Sequence, residues 1–255
     1  MPTSIIQDFS VFFLVLMRFM GMILLMPVFS QMEIPSRIRV MVVLTITLCL
    51  LPSIPQTEAF KNMSPSFFQI FSWSVSEIII GLFIGAVARA FLAILDMAGS
   101  LISFQLNLSN AMLFNPGQAA QTPIITSFLT MCGVVAFLGF DLHHLVFKSG
   151  IASYHIFPFC GAPMVGDFSN SFSLLISKVF LCGVQLATPF LIVGIIMQLA
   201  FGFLNRLMPQ MHIFFVTMPA QIAIGLVVFM LVASALLMHF AQIFDQEYRH
   251  IFRMD

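Results

Sequence analysis

The residues able to do chemistry are few and badly placed for it. Six histidines are scattered through 255 residues. His143 and His144 stand side by side, but no H-E-x-x-H pattern surrounds them and their spacing completes no ligand set. Gly139-Phe140-Asp141 lacks the second glycine of the G-x-G-D motif of intramembrane aspartyl proteases. A G-x-S-G nucleophile motif and a phosphate-cradling glycine loop are both missing. Cys49, Cys132, Cys160 and Cys182 form no C-x-x-C pair, and three lie in apolar runs, so they read as small buried apolar residues. These patterns predict no enzyme activity, no metal and no cofactor.

The charges that do occur suggest packing instead. Glu77, Gly81, Gly85, Arg89 and Ala93 fall at steps of four, one ridge of a helix. Gly81-x-x-x-Gly85 admits another backbone closely. Glu77 and Arg89 lie about 18 Å apart along a helix axis, too far to pair with each other. Asp96 follows seven residues after Arg89. Charges inside an apolar run are costly and pair or face protein or water. Glu77, Gly81, Gly85, Arg89 and Asp96 are therefore the expected subunit-contact set, each charge with a partner on another element.

A second feature is neutral. Met97 to Phe140 carries no formal charge, and its middle, from Gln105 to Pro123, is rich in Gln, Asn and Ser. Asn115-Pro116-Gly117 is a turn signal. Irregular backbone survives at membrane depth only when buried in protein or lining a wet cavity. The stretch from Gln105 to Pro123 is thus the expected pore-occluding or re-entrant loop. The 19 methionines add side chains that reshape around varied surfaces.

The elements that must position these residues follow from composition. Hydrophobic residues make up 60% and charged residues 8% of the chain, with mean hydropathy +1.06. Soluble domains carry about 25% charged residues, so a soluble enzyme, a nucleic-acid binder and a disordered chain are excluded. Ten basic residues balance ten acidic ones, leaving no net attraction for phosphate. The expected fold is all-α: an integral membrane protein forming a single membrane domain over 1–255. A crossing needs about 20 apolar residues, and six segments approach this: 9–29, 38–54, 67–95, 123–145, 172–204 and 212–240. Pro189 and Pro219 should bend or interrupt the last two. Residues 241–255 read as a short polar tail. The first charge is Asp8 and Arg18 interrupts the first apolar run, so that run is expected to be kept as a helix rather than cleaved as a signal. Lys and Arg show no clear bias between loops, and Trp73, Tyr154 and Tyr248 make a poor aromatic belt. Both facts suggest helices not set wholly in plain lipid. A secondary transporter, the competing class, should show repeats with matching broken helices, whereas both prolines fall in the second half.

Three stretches resemble one family. They are RFMGMILLMPVF from Arg18 with IPSRIR from Ile34; EIIIGLFIGAVARAF from Glu77, running through DMAGSLISFQ from Asp96 to Asn115-Pro116-Gly117; and GFLNRLMPQMHIFFVTMP from Gly202 to Pro219. The chain is similar over essentially its whole length to FliR-type flagellar biosynthetic proteins and their SctT homologues in injectisomes. The element around Arg206, Pro209 and Pro219 is the most specific, and it looks flagellar.

The resemblance implies an export-gate subunit of type III secretion in the bacterial inner membrane. Its partners would be FliP- and FliQ-type subunits and FlhB- and FlhA-type proteins, with unfolded flagellar proteins as cargo. It implies a fold like a fusion of the partners' helical hairpins, partly above the bilayer on the periplasmic side. It also makes 106–122 the plug; the family assigns no role residue by residue, and the expected pore and plug-loop residues are Gln105 at its flank, Asn107, Asn110, Met112, Phe114, Asn115 and Pro116.

Overall fold

In a computed structural model, backbone is described for residues 2–31, 34–54, 66–108, 123–159, 165–207 and 213–252. All regular structure among these is helical. The elements are α1 (Pro2–Leu25), α2 (Pro27–Gln31), α3 (Ser36–Leu50), a 3-10 turn (Leu51–Ser53), α4 (Phe67–Gln105), α5 (Ile124–Gly139), α6 (Leu142–Ile156), α7 (Val165–Leu207) and α8 (Ile213–Ile251).

Proline sets several boundaries. Pro27 lacks the backbone donor needed to continue α1, which stops at Leu25 with a bend at Met26. Pro35 and Pro123 precede the first residues of α3 and α5 with extended ψ values of 136° and 144°. Pro52 falls in the 3-10 turn that ends α3. Pro189 and Pro219 behave otherwise: α7 and α8 run on through both. One lost hydrogen bond does not end a helix of 43 or 39 residues whose other backbone groups stay paired.

Fewer helices are fit to cross a membrane than the six segments suggested. Among the described residues three are long and apolar enough: Phe67–Gln105, Phe172–Leu207 and Thr217–Ile251. The fourth segment is split at Phe140–Asp141 into α5 and α6, and counts as a span only if the pair is taken as one. Among the described side chains, Phe9–Leu25 of α1 is a shorter apolar helix, and the 15-residue α3 is too short for a hydrocarbon core of about 30 Å. The three that remain make this an integral membrane helical protein.

The chain divides into two compact units, each assembled from separated stretches. One comprises Met1–Ala90, Asp141–Leu175 and Phe244–Asp255. In it α1 packs on α3 and α6, and the core holds Leu14, Phe19, Ile84, Val146 and Tyr248. The other comprises Phe91–Phe140 and Ile176–Ile243, with a core of Leu95, Ile102, Phe137, Phe190 and Phe240.

The expected polar tail is corrected. Residues 241–251 continue α8, and Phe244, Tyr248 and Phe252 are buried in the first unit. The Phe244 and Tyr248 rings stack at 5.1 Å. The tail's charges hid a run of aromatics at helical spacing. Three cysteines are less buried than expected, with Cys49 exposed and Cys132 and Cys182 half-buried, and Cys160 lies outside the described residues.

Candidate functional site

Two polar clusters lie within the helices, one in each unit. The first begins with glycine. Gly81 and Gly85 of α4 and Gly21 of α1 face each other across a backbone contact. A Cβ at Gly81 would run into the Arg18 carbonyl, one at Gly85 into the Met22 carbonyl, and one at Gly21 into the Ile78 carbonyl. Arg18 thus lies opposite Gly81 and Met22 opposite Gly85, so the two helices run in the same direction. Small residues at steps of four allow this approach. It brings the Arg18 and Glu77 side chains together although they are 59 residues apart.

Arg18 Nε donates to Glu77 Oε2, and both side chains are almost wholly buried. The rest of the guanidinium is satisfied by α6 and the residue after it. Nη1 donates to Ser153 Oγ at 2.9 Å and Nη2 to the Phe157 carbonyl at 3.1 Å. The Ser153 hydroxyl itself donates a hydrogen bond to the Gly150 carbonyl at 2.6 Å. The Tyr154 ring lies 3.7 Å from Arg18 Cζ, a cation–π contact away from water. One guanidinium therefore ties α1, α4 and α6 together, with its charge neutralised by a single carboxylate. A further link closes the same unit. Ser149 donates to the Val146 carbonyl at 2.7 Å, so Tyr248 donates to Ser149 Oγ across 3.0 Å.

The second cluster sits where α4 ends. Asn107 adopts φ 56°, the left-handed conformation that stops a helix and that Asn tolerates. The Gln221 side chain of α8 then bridges the terminus. Its Nε2 donates to the Gln105 carbonyl at 2.5 Å, and its Oε1 accepts from Asn107 Nδ2 at 2.5 Å. One amide thus satisfies a helix-end carbonyl and the capping side chain. Gly194 makes room for the Gln105 side chain, and Gly225 for Leu106. Nearby, Gly99 meets Thr126 of α5, and the Thr130 hydroxyl donates to the Asp96 carboxylate.

The residues singled out in the sequence are thus distributed unevenly. Glu77, Gly81 and Gly85 come together, but against α1 of the same chain; the glycine notch is filled from within. Arg89 and Asp96 are exposed. Gln105 and Asn107 come together on Gln221, leading into 106–122. Asn110, Met112, Phe114, Asn115, Pro116 and Pro209 lie outside the described residues. Arg206 is exposed in the last turn of α7, where a cation suits the helix C-terminus, and Pro219 is exposed within α8.

Sequence reasoning missed Arg18 as the partner of Glu77, and it missed Ser153, Tyr154, Tyr248 and Gln221. The available signal was a lone Arg or Gln inside an apolar run, which must find a partner. Nothing in the sequence said which.

Helices of membrane-crossing length and apolar composition define a helical integral membrane protein. The chain belongs to the bacterial export proteins, family 1, whose model matches residues 9–247. It is 33% identical over 238 residues to the flagellar biosynthetic protein FliR of Caulobacter vibrioides, covering 93% of this chain and 92% of that one. Similarity to FliR of Escherichia coli is 27% over 218 residues, 85% of this chain and 82% of that one. Yop proteins translocation protein T of Yersinia pestis is 26% identical over 236 residues, 89% of this chain and 87% of that one.

Proposed function

We propose that this chain is the FliR-type subunit of a flagellar protein export gate in the bacterial inner membrane. It acts as a channel component, not as an enzyme. The observation that carries the reading is its similarity along nearly the full length to flagellar relatives in the same family. Uncovered apolar surface supports it. Only 33% of the apolar window of α7 and 17% of that of α8 is buried within the chain, leaving broad faces for lipid and for neighbouring subunits. FliP- and FliQ-type subunits are the proposed neighbours, with FlhB- and FlhA-type proteins around them and unfolded flagellar subunits as cargo. Exposed Arg89 and Asp96 are the proposed polar contacts to a neighbour.

Residues 106–122 are the proposed plug. The bridge from Gln221 to Gln105 and Asn107 gives its first end a fixed anchor on α8, so motion would begin beyond Asn107. Asn110, Met112, Phe114, Asn115 and Pro116 would then line or seal the channel. The likeness to the Yersinia protein favours an injectisome as the second reading.

Deleting the gene should abolish motility and secretion of flagellar filament protein, with plasmid copies restoring both. Filament export unaffected by the deletion would refute the flagellar reading. Removing 107–116 should leave the assembled gate leaky to small ions; unchanged membrane conductance in the assembled gate would refute the plug.

A further inference from the structure

We propose that Asp141, His143 and His144, at the start of α6, form a binding site for a borderline divalent cation, with Zn2+ the natural ligand. The sequence shows adjacent histidines with no usable spacing, but the fold supplies what spacing does not. Asp141 adopts φ 56° and stands at the N-cap of α6, yet its side chain makes no capping hydrogen bond to the helix. Its carboxylate lies instead 3.6 Å from His144 Nδ1. The His143 and His144 rings are 4.1 Å apart, centre to centre. One ligand atom from each of the three residues falls within 4.8 Å of the others.

An ion with bonds of about 2.0–2.2 Å in tetrahedral geometry needs ligand atoms about 3.4 Å apart. The gap closes by rotation of side chains, and Asp141 and His144 are exposed and free to turn. A separate observation points to a ligand. His143 Nδ1 is shielded from solvent and has no hydrogen-bond partner among the described residues. A shielded polar atom without a partner carries a desolvation cost that a hydrogen-bond partner or a metal ion would recover.

Two imidazoles and one carboxylate favour Zn2+, Co2+, Ni2+ or Cu2+ over Mg2+ or Ca2+. Three protein ligands leave a position for water or for a side chain from a neighbouring subunit. Bound metal would fasten the left-handed turn at Asp141 to the first turn of α6. The proposal does not depend on the export reading.

The test uses the full chain, without a polyhistidine tag, purified from membranes with whatever subunits accompany it. Co2+ titration should give visible d–d bands that saturate at one ion per chain and are displaced by Zn2+. D141N, H143Q and H144Q should each weaken Zn2+ binding at least as much as the roughly 10–100-fold lost with a supporting group alone. H250Q, at an exposed histidine of α8 outside the cluster, should not. Absence of saturable binding would overturn the site, as would binding that the three substitutions leave unchanged. Should a substituted chain fail to fold, the native chain still decides. Zn2+ should protect His143 and His144 from diethyl pyrocarbonate, read by mass spectrometry, and unaltered modification would overturn the proposal.

Discussion

Replacing Glu77 with Leu should be among the most damaging single changes available to this chain, and replacing Arg18 as well should repair most of the damage. Arg18 is 1% exposed and sits among apolar side chains. Without Glu77 its charge keeps only neutral acceptors, Ser153 and the Phe157 carbonyl, and the Tyr154 ring. Removing one member of a buried ion pair costs about 3–5 kcal/mol. At about 2–4 °C per kcal/mol for a chain of this size, the midpoint should fall by roughly 6–20 °C. In the double variant Arg18→Met, Glu77→Leu no charge is left to desolvate, and replacing a whole buried pair with apolar residues of similar volume is often neutral or stabilising. Thermal midpoints in a single detergent, read by size-exclusion after heating, complete the cycle. A double variant that loses as much as the two single variants together would refute the view that the stranded charge, rather than lost packing, carries the penalty.

Gly81→Ala should destabilise by about 1–3 kcal/mol, because its Cβ meets the Arg18 backbone, which cannot swing aside. Gly202→Ala has open space around it within α7 and should gain about 0.5–1 kcal/mol; equal midpoints for the two variants would contradict the close α1–α4 approach. Gln221→Leu should strand the Gln105 carbonyl and cost about 1–3 kcal/mol. Faster hydrogen exchange at the end of α4 is the expected sign, and unchanged exchange there would exclude the bridge. Tyr248→Phe should cost about 1 kcal/mol through the bond to Ser149, and a Tyr248→Phe chain as stable as the parent would show that bond to be idle.

Hydropathy made the long spans legible. Expected segments 67–95, 172–204 and 212–240 lie within or nearly within α4, α7 and α8, because burial in lipid or protein requires continuous apolar sequence. Segment 38–54 misled, since the turn holding Pro52 ends α3 after 15 residues, and Pro27 divides segment 9–29 between α1 and α2. The charged tail misled in the opposite sense: Asp245 and Arg249 pair on the outside of α8 while Phe244, Tyr248 and Phe252 turn inward.

Glu77 and the glycine ridge were visible as features needing a partner, but the partner was not. A step of four states that a backbone can come close; only the fold states that it is the chain's own first helix. The same limit applied to Asn107, whose type allows a left-handed turn but does not reveal Gln221. At Asp141 and the two histidines, the spacing pointed away from a metal and the folded geometry points toward one.

The bare outer sides of α7 and α8 carry a consequence for the cell. A copy synthesised ahead of its neighbours exposes Leu199, Phe203, Met230 and Leu231 with only acyl chains to meet them. Such an orphan invites clumping within the bilayer and disposal by quality-control proteases. Its production must therefore be matched in time and amount to that of the proteins beside it, and a surplus of this polypeptide alone should be short-lived.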